Sequence, residues 1–312
     1  MTDKDDDRRR PADDRRQPSD PAEKGVDSPG VPIRRSGDEE RVRAAIRNEI
    51  LDDKVPGAMP TREWRAAATN KVVQLEHVYL AFDNPILQDV SFEALAGETI
   101  VIAGESGTGK STILKLLLRL LVPERGEVYI DGDEITQLTF SDALKVRQKM
   151  GMVFQGAALF DSLTVFENIA YPLREHTELN EAEIEQRVRE KLDFVDLDPD
   201  RVMDQLPSDL SGGMRKRVGI ARGMANNPKI MLYDEPTSGL DPLTTGTITN
   251  LIIKLQRELG VTSIVVTHDI RSAFRMASKI AVLYDHKICF FGTPEDMSGS
   301  NDKYLRDFLG GY

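Results

Sequence analysis

The hydrophobic residues of this chain come in short bursts with two different periods. From Val72 the stretch VVQLEHVYLAF alternates apolar and polar positions as a half-buried strand does, and Val90–Phe92 reads as another strand. Thr99–Ala103 is nearly continuously apolar, as are MGMVF, KIMLYDE, TSIVVTH and KIAVLYD, while GEVYIDG reads as a strand and turn. Helical patterns separate several of these runs, Ser111 to Leu121 among them. Apolar strands alternating with helices predict an α/β fold with a mainly parallel sheet covered on both faces, with an antiparallel β part expected near the start of the domain. Between Gln155 and Ser211 the pattern changes. There NEAEIEQRVREKLDFV sets Ile184, Val188 and Leu192 in register on one helical face. A helical insertion over about residues 156–215 is the expectation.

Residues 1–70 follow a different rule. They are rich in Asp, Arg, Pro, Glu and Ser and poor in large apolar residues, so they cannot bury enough surface to offset the entropy of ordering. A mostly disordered extension is predicted, with an ordered domain over 71–312. Within the extension, Val42, Ile46 and Ile50 form one helical stripe, read as a transient helix or a segment that docks on a partner. The rest of the chain has ample apolar content, since 40% of all residues are hydrophobic. A net charge of −11 argues against broad nucleic-acid binding. Cys289 is the sole cysteine, so no intrachain disulfide is possible; it is expected to be a small buried hydrophobe in a cytosolic protein. The opening MTDKDDDRRR has no apolar core of a signal peptide, and no run approaches the roughly 18–20 apolar residues of a membrane span. Any membrane function then needs a spanning partner.

Candidate chemistry concentrates at the ends of the apolar runs. Gly104-Glu105-Ser106-Gly107-Thr108-Gly109-Lys110-Ser111, followed by Thr112, fits G-x-x-x-x-G-K-[ST] after a strand and at the start of a helix. Glycines let successive N–H groups converge on phosphate oxygens, and the helix N-terminus adds partial positive charge. Lys110 suits the β- and γ-phosphates of ATP, and the Ser111 hydroxyl suits Mg²⁺. The run KIMLYDE delivers Asp234 and Glu235 to a strand end, where Asp234 would hold Mg²⁺ and Glu235 would act as general base. These features predict a P-loop NTPase core of the RecA-like kind. A second phosphate-binding helix start follows at Leu210-Ser211-Gly212-Gly213-Met214, with Ser211 as N-cap. One site has no obvious use for both elements, whereas two copies packed head to tail would each complete the other's nucleotide site.

In this order the motifs resemble those of ABC ATPases over about residues 72–292. Gln155 in MVFQ is similar to the Q-loop, LSGGM to the signature with Met214 where most members have Gln, Asp234-Glu235 to Walker B, Ser238-Gly239-Leu240-Asp241 to the D-loop, and His268 in VVTHD to the switch histidine. The resemblance implies that Gln155 senses Mg²⁺ and the attacking water, His268 contacts the γ-phosphate, and Ser211 and Gly213 bind it across a dimer. It further implies that Asp241 contacts the opposite phosphate loop and that Phe82, or the nearby Tyr79, stacks on adenine. His77, His176 and His286 are read as surface or packing residues. The segments QGAALFDSLTVFENIAYPLREHT and SGGMRKRVGIARGMA resemble more narrowly the ATPases of Mce-type lipid transporters, including the Mla phospholipid system. That likeness implies an integral-membrane permease, a ring-forming Mce substrate-binding protein, often a small STAS-domain regulator, and a place on the cytoplasmic face of the inner membrane. The alternatives are an importer ATPase for a small solute such as an amino acid, a soluble ABC protein, and a non-hydrolysing nucleotide-binding regulator. The single cassette with a short span between Gln155 and Ser211 speaks against a soluble ABC protein of DNA repair or translation. Intact Lys110, Asp234, Glu235 and His268 speak against a non-hydrolysing regulator.

Overall fold

The computed structural model describes residues 70–310. The charged extension before Asn70, with its Val42–Ile46–Ile50 stripe, lies outside the described residues.

The chain order is β1 (Lys71–Ala81), β2 (Pro85–Leu95), β3 (Thr99–Ala103), α1 (Lys110–Leu117), β4 (Arg125–Ile130), β5 (Asp133–Glu134), α2 (Phe140–Arg147) and β6 (Met150–Val153). A helical stretch follows: α3 (Val165–His176), α4 (Glu181–Phe194), the short α5 (Pro199–Val202) and α6 (Gly212–Gly223). The chain then returns through β7 (Ile230–Asp234), α7 (Pro242–Leu259), β8 (Thr262–Thr267), α8 (Ile270–Met276), β9 (Lys279–Tyr284), β10 (Lys287–Gly292), α9 (Pro294–Ser298) and α10 (Lys303–Gly310). One sheet is antiparallel, in the order β2-β1-β4-β5. The other runs β10-β9-β3-β8-β7-β6, parallel throughout except for β10 at its edge.

The apolar runs are the middle of a sandwich. Successive side chains of a strand point to opposite faces, so a strand buried on both faces must be apolar at every position. Val101 and Ala103 of β3 pack with Met231, Tyr233, Val265 and Val282 in one core, which includes the inward faces of α3, α4, α6 and α7. Ile100 and Ile102 pack with Leu232, Ile264, Val266 and Leu283 in a second core, shared with α1 and the antiparallel sheet. All five β3 residues are buried. Its C-terminal end, and those of β7 and β8, therefore sit where two cores meet, which fixes whatever the following loops carry.

The helical segment forms as its periodicity requires. Ile184, Val188 and Leu192 of α4 are buried, and α3 and α4 both start with reciprocal capping boxes, Thr164 with Glu167 and Asn180 with Glu183. Two expectations need correction. The helix after the glycine loop ends at Leu117 rather than continuing to Leu121, because Arg119 takes a left-handed backbone (φ 53°) and the Leu120 and Leu121 N–H groups both turn back to the Lys115 carbonyl. Cys289 is exposed, not buried. It lies on β10, an edge strand absent from the predicted set, at a position that alternates outward with Lys287.

Candidate active site

The glycine loop joins β3 to α1. Gly109 caps α1 from the left-handed region (φ 101°), a conformation that a side chain resists, and a Cβ there would press on the Ile86 carbonyl at 3.0 Å. Among the described residues, the N–H groups of residues 105–109 have no hydrogen-bond acceptor. Glu105, Ser106 and Gly107 are exposed, and Thr108 braces the turn by donating to the Glu105 carbonyl at 2.9 Å. Lys110 is buried, and its Nζ donates to the Gly104 and Glu105 carbonyls at 2.8 and 2.7 Å. Burial pushes its pKa down, opposed by the nearby Glu235 and Asp234 carboxylates. Thr112 follows in the first turn of α1, its N–H bonded to the Gly109 carbonyl. A curved row of free donors ahead of a helix N-terminus, with a buried ammonium beneath it, can hold a polyphosphate.

The parallel register carries the acidic partners alongside. Ser111 Oγ donates to Asp234 Oδ1 at 2.8 Å, so the hydroxyl at the start of α1 meets the carboxylate ending β7. Glu235 takes a left-handed backbone (φ 48°), strained by roughly 1–2 kcal/mol for a residue with a side chain. Its N–H is fixed to the Val266 carbonyl of β8 at 2.9 Å. That turn delivers the carboxylate to the end of β8, where Glu235 Oε2 lies 2.8 Å from His268 Nδ1 and 3.4 Å from the Thr267 hydroxyl. The Glu235 side chain is mostly enclosed and the His268 ring half-exposed, so the pair is reachable from outside.

The remaining predicted residues divide between the two sides of this centre. Phe82 is 65% exposed in the β1–β2 turn, close in chain to the Ile86 that abuts Gly109, whereas Tyr79 lies within the β1–β4 pairing. The Gln155 amide donates to the Ser238 hydroxyl at 3.2 Å, and no hydrogen bond joins it to Ser111 or Asp234. Ser211 caps α6 by accepting from the Met214 N–H at 3.2 Å. Gly213 is required by a close approach, since a Cβ there would strike Thr244 at 2.5 Å; Gly212 faces Leu240. No hydrogen bond joins residues 211–213 to the glycine loop of the same chain. Asp241 caps α7, accepting from the Leu243 and Thr244 N–H groups at 3.0 Å and from the Thr244 hydroxyl at 2.6 Å, bonds that hold its carboxyl below the usual range.

Three participants were not among the predicted site residues: Ser238, Thr267 and Lys216. Lys216 is buried on α6 and donates to the Gln155 carbonyl and, at 3.3 Å, to that of Glu235. Its signal was present in the sequence: the cation falls four residues before Ile220, on the apolar face of the helix.

Residues 87–238 match the family model described as ABC transporter. Among curated relatives, a probable ribonucleotide transport ATP-binding protein, mkl, of Mycobacterium tuberculosis is 41% identical over 226 residues, 72% of this chain and 62% of the relative. The chain thus spans less than two thirds of that protein's length, and 65% of its Mycobacterium leprae counterpart. The intermembrane phospholipid transport system ATP-binding protein MlaF of Haemophilus influenzae is 40% identical over 229 residues, 73% of this chain and 86% of the relative. Among solved structures, a dimeric post-hydrolysis state of the ATP-binding cassette MJ0796 bound to ADP and Pi superposes with a TM-score of 0.66 at 36% identity, over 72% of this chain and 99% of that one. With the glycine loop, the Asp234–Glu235 strand end and the LSGGM helix in the places this fold provides, the chain belongs to the ABC transporter family and carries its ATP-binding cassette.

Proposed function

We propose that this chain hydrolyses ATP to drive a membrane transporter for phospholipid, working as a nucleotide-sandwich dimer on the cytoplasmic face of the inner membrane. The observation that carries the reading is the incomplete site. Lys110, Ser111, Asp234, Glu235 and His268 converge at the ends of β3, β7 and β8, while Ser211–Gly213 open elsewhere on the same chain. A second copy, turned head to tail, supplies the missing cap.

The roles follow from the geometry. The free N–H groups of Glu105, Ser106, Gly107, Thr108 and Gly109, with Lys110 and Thr112, bind the phosphates beyond Gly104, and Phe82 stacks on the adenine. Ser111 Oγ and Asp234 Oδ1 are hard oxygen donors held together, as Mg²⁺ prefers, with Gln155 as a further ligand once it leaves Ser238; the ion would neutralise phosphate charge there. Glu235 Oε2 takes the proton of the attacking water, and His268, now on that oxygen, turns to the γ-phosphate. From the other copy, Ser211, Gly212 and Gly213 cap the γ-phosphate, and Asp241 contacts the glycine loop. Closure excludes water from the phosphates and strengthens every one of these contacts. Loss of the γ-phosphate removes what held the halves together, and they part.

The cassette is assigned to residues 71–312. The helical part, about 156–215, is assigned to the permease-facing side, where the segment that follows Gln155 carries the likeness to lipid transporters. The MlaF relatives and that segment support phospholipid as cargo. The segment's likeness to Mce-type transporters gives a permease, an Mce-domain protein and a STAS-domain regulator as companions, and the net charge of −11 argues against nucleic acid. Isolation of the protein from native membranes tests this. Recovery of an integral-membrane permease with an Mce-domain protein is expected. Recovery of a small-solute binding protein instead overturns the lipid assignment.

A further inference from the structure

The basic side chains of α6 act as staples. Arg217 donates to the Asp196 carbonyl at 2.7 Å, and Arg222 to the Ala157 and Ala158 carbonyls at 2.9 Å each, all within the helical region. Lys216 differs in what it joins. Its single ammonium bonds the carbonyl of Gln155, in the turn after β6, and that of Glu235, in the turn after β7. Only 6% of Lys216 is exposed, and a buried ammonium is stable only if its donors are met and carboxylates lie near. Asp234 and Glu235 are those carboxylates. Beside it lies a cavity of about 220 Å³ lined by Gln155, Gly156, Gly212, Lys216, Ser238 and Leu240. The three loops meeting there are not packed shut. Arg222 ties α6 to the segment after Gln155 through Ala157 and Ala158, and the Gln155 amide ties that segment to Ser238, but it is Lys216 that joins α6 to both the Gln155 and the Glu235 segments.

We infer that Lys216 is a positioning residue coupling the two nucleotide sites of the dimer. It fixes the LSGGM helix, which serves the partner's nucleotide, to the Gln155 and Glu235 segments, which serve the chain's own. The inference rests on the sandwich dimer proposed above. When Ser211–Gly213 engage the partner's γ-phosphate, α6 moves as one body, and the ammonium carries that motion to the backbone behind Gln155 and Glu235. An uncharged side chain of equal length fills the space but cannot hold two carbonyls. A guanidinium can.

The test uses the full chain, with ATP-dependent phosphate release and binding of a fluorescent ATP analogue as readouts. Lys216→Met is expected to lower kcat by about tenfold while ATP affinity stays within about twofold, a loss confined to the transition state. Its Hill coefficient should drop from near the two-site limit of about 2 toward 1. Lys216→Arg should restore most of both, and Arg217→Ala should lower thermal stability without changing either. Lys216→Met with wild-type kcat and cooperativity overturns the inference. So does joint loss of kcat, affinity and melting temperature without rescue by Arg, which marks a merely structural staple. A Glu235→Gln/Lys216→Met chain that still dimerises on ATP leaves the proposed function standing whatever the coupling result. Full-rate hydrolysis by a wild-type monomer removes the proposed function and the inference with it.

Discussion

The glycine loop and the LSGGM loop are both helix N-termini beside a strand or loop end, and both suit an anion, yet their surroundings differ. Around the first, the chain provides its own partners: Lys110 sits beneath the loop, Ser111 meets Asp234, and Glu235 meets His268. Around the second, Ser211 accepts from its own helix, and Gly213 lies so near Thr244 of the same chain that a Cβ there would meet its methyl at 2.5 Å. The first region is anchored where two hydrophobic cores meet; the second is carried by a helix stapled to three neighbouring segments through Lys216, Arg217 and Arg222. The difference teaches how labour is divided in one chain. The residues proposed for the chemistry stand at the ends of the central strands β3, β7 and β8, and the proposed cap stands at the start of a helix tied to its neighbours by side chains.

Variants at the ends of the central strands should give the largest effects. Glu235→Gln keeps the shape of the side chain and removes the base, so kcat should fall by about a thousandfold while ATP still binds and a closed dimer accumulates. Phosphate release together with sedimentation checks both halves, and a hydrolysis rate equal to wild type would refute the base assignment. Lys110→Ala removes the buried ammonium under the loop. ATP affinity should fall by about a hundredfold, the scale of a lost charge-assisted contact, and equilibrium binding measures it. Phe82→Ala should raise KM by about fivefold or more with kcat little changed, because stacking on a base contributes roughly 1–3 kcal/mol. If Tyr79→Ala has that effect and Phe82→Ala has none, the adenine contact belongs to the neighbouring aromatic.

The smallest effect separates stability from both loops. Lys229, with Lys149, holds the Asp131 carboxyl below its ordinary value. A carboxylate whose folded pKa is depressed adds stability above its unfolded pKa and loses it as pH falls through the folded one. Asp131→Asn should therefore lower the melting temperature slightly at neutral pH and flatten its decline below about pH 4, with ATP affinity and cooperativity intact.

Much of the centre was legible in the sequence because its demands are local. A loop that must turn N–H groups on phosphate needs Gly109 at positive φ, and a strand buried on both faces, such as Thr99–Ala103, can only be apolar. What the sequence hid depends on tertiary placement. Nothing in MVFQ says that Gln155 bonds Ser238 in this state. Cys289 looked buried because its neighbours are apolar, but β10 is an edge strand and alternation turns the thiol outward. Lys216 is legible only through the helical register: in RKR three adjacent cations look like a solvated face, and the spacing to Ile220 alone separates the inward one from Arg215 and Arg217. The early end of α1 at Leu117 is set by Arg119, whose guanidinium reaches the Ile135 and Leu138 carbonyls well along the chain.

The central claim is that each nucleotide pocket is finished by another molecule, and mixing two crippled chains tests it most directly. Lys110→Ala lacks a working glycine loop but keeps its LSGGM helix. Ser211→Arg keeps the glycine loop and blocks the cap. Each alone should release phosphate at near-background rates with saturating ATP. Their mixture should recover hydrolysis well above either, since every mixed dimer contains one pocket with both halves intact. A mixture as inert as its parts, or a Ser211→Arg chain that works at full rate as a monomer, would contradict the account.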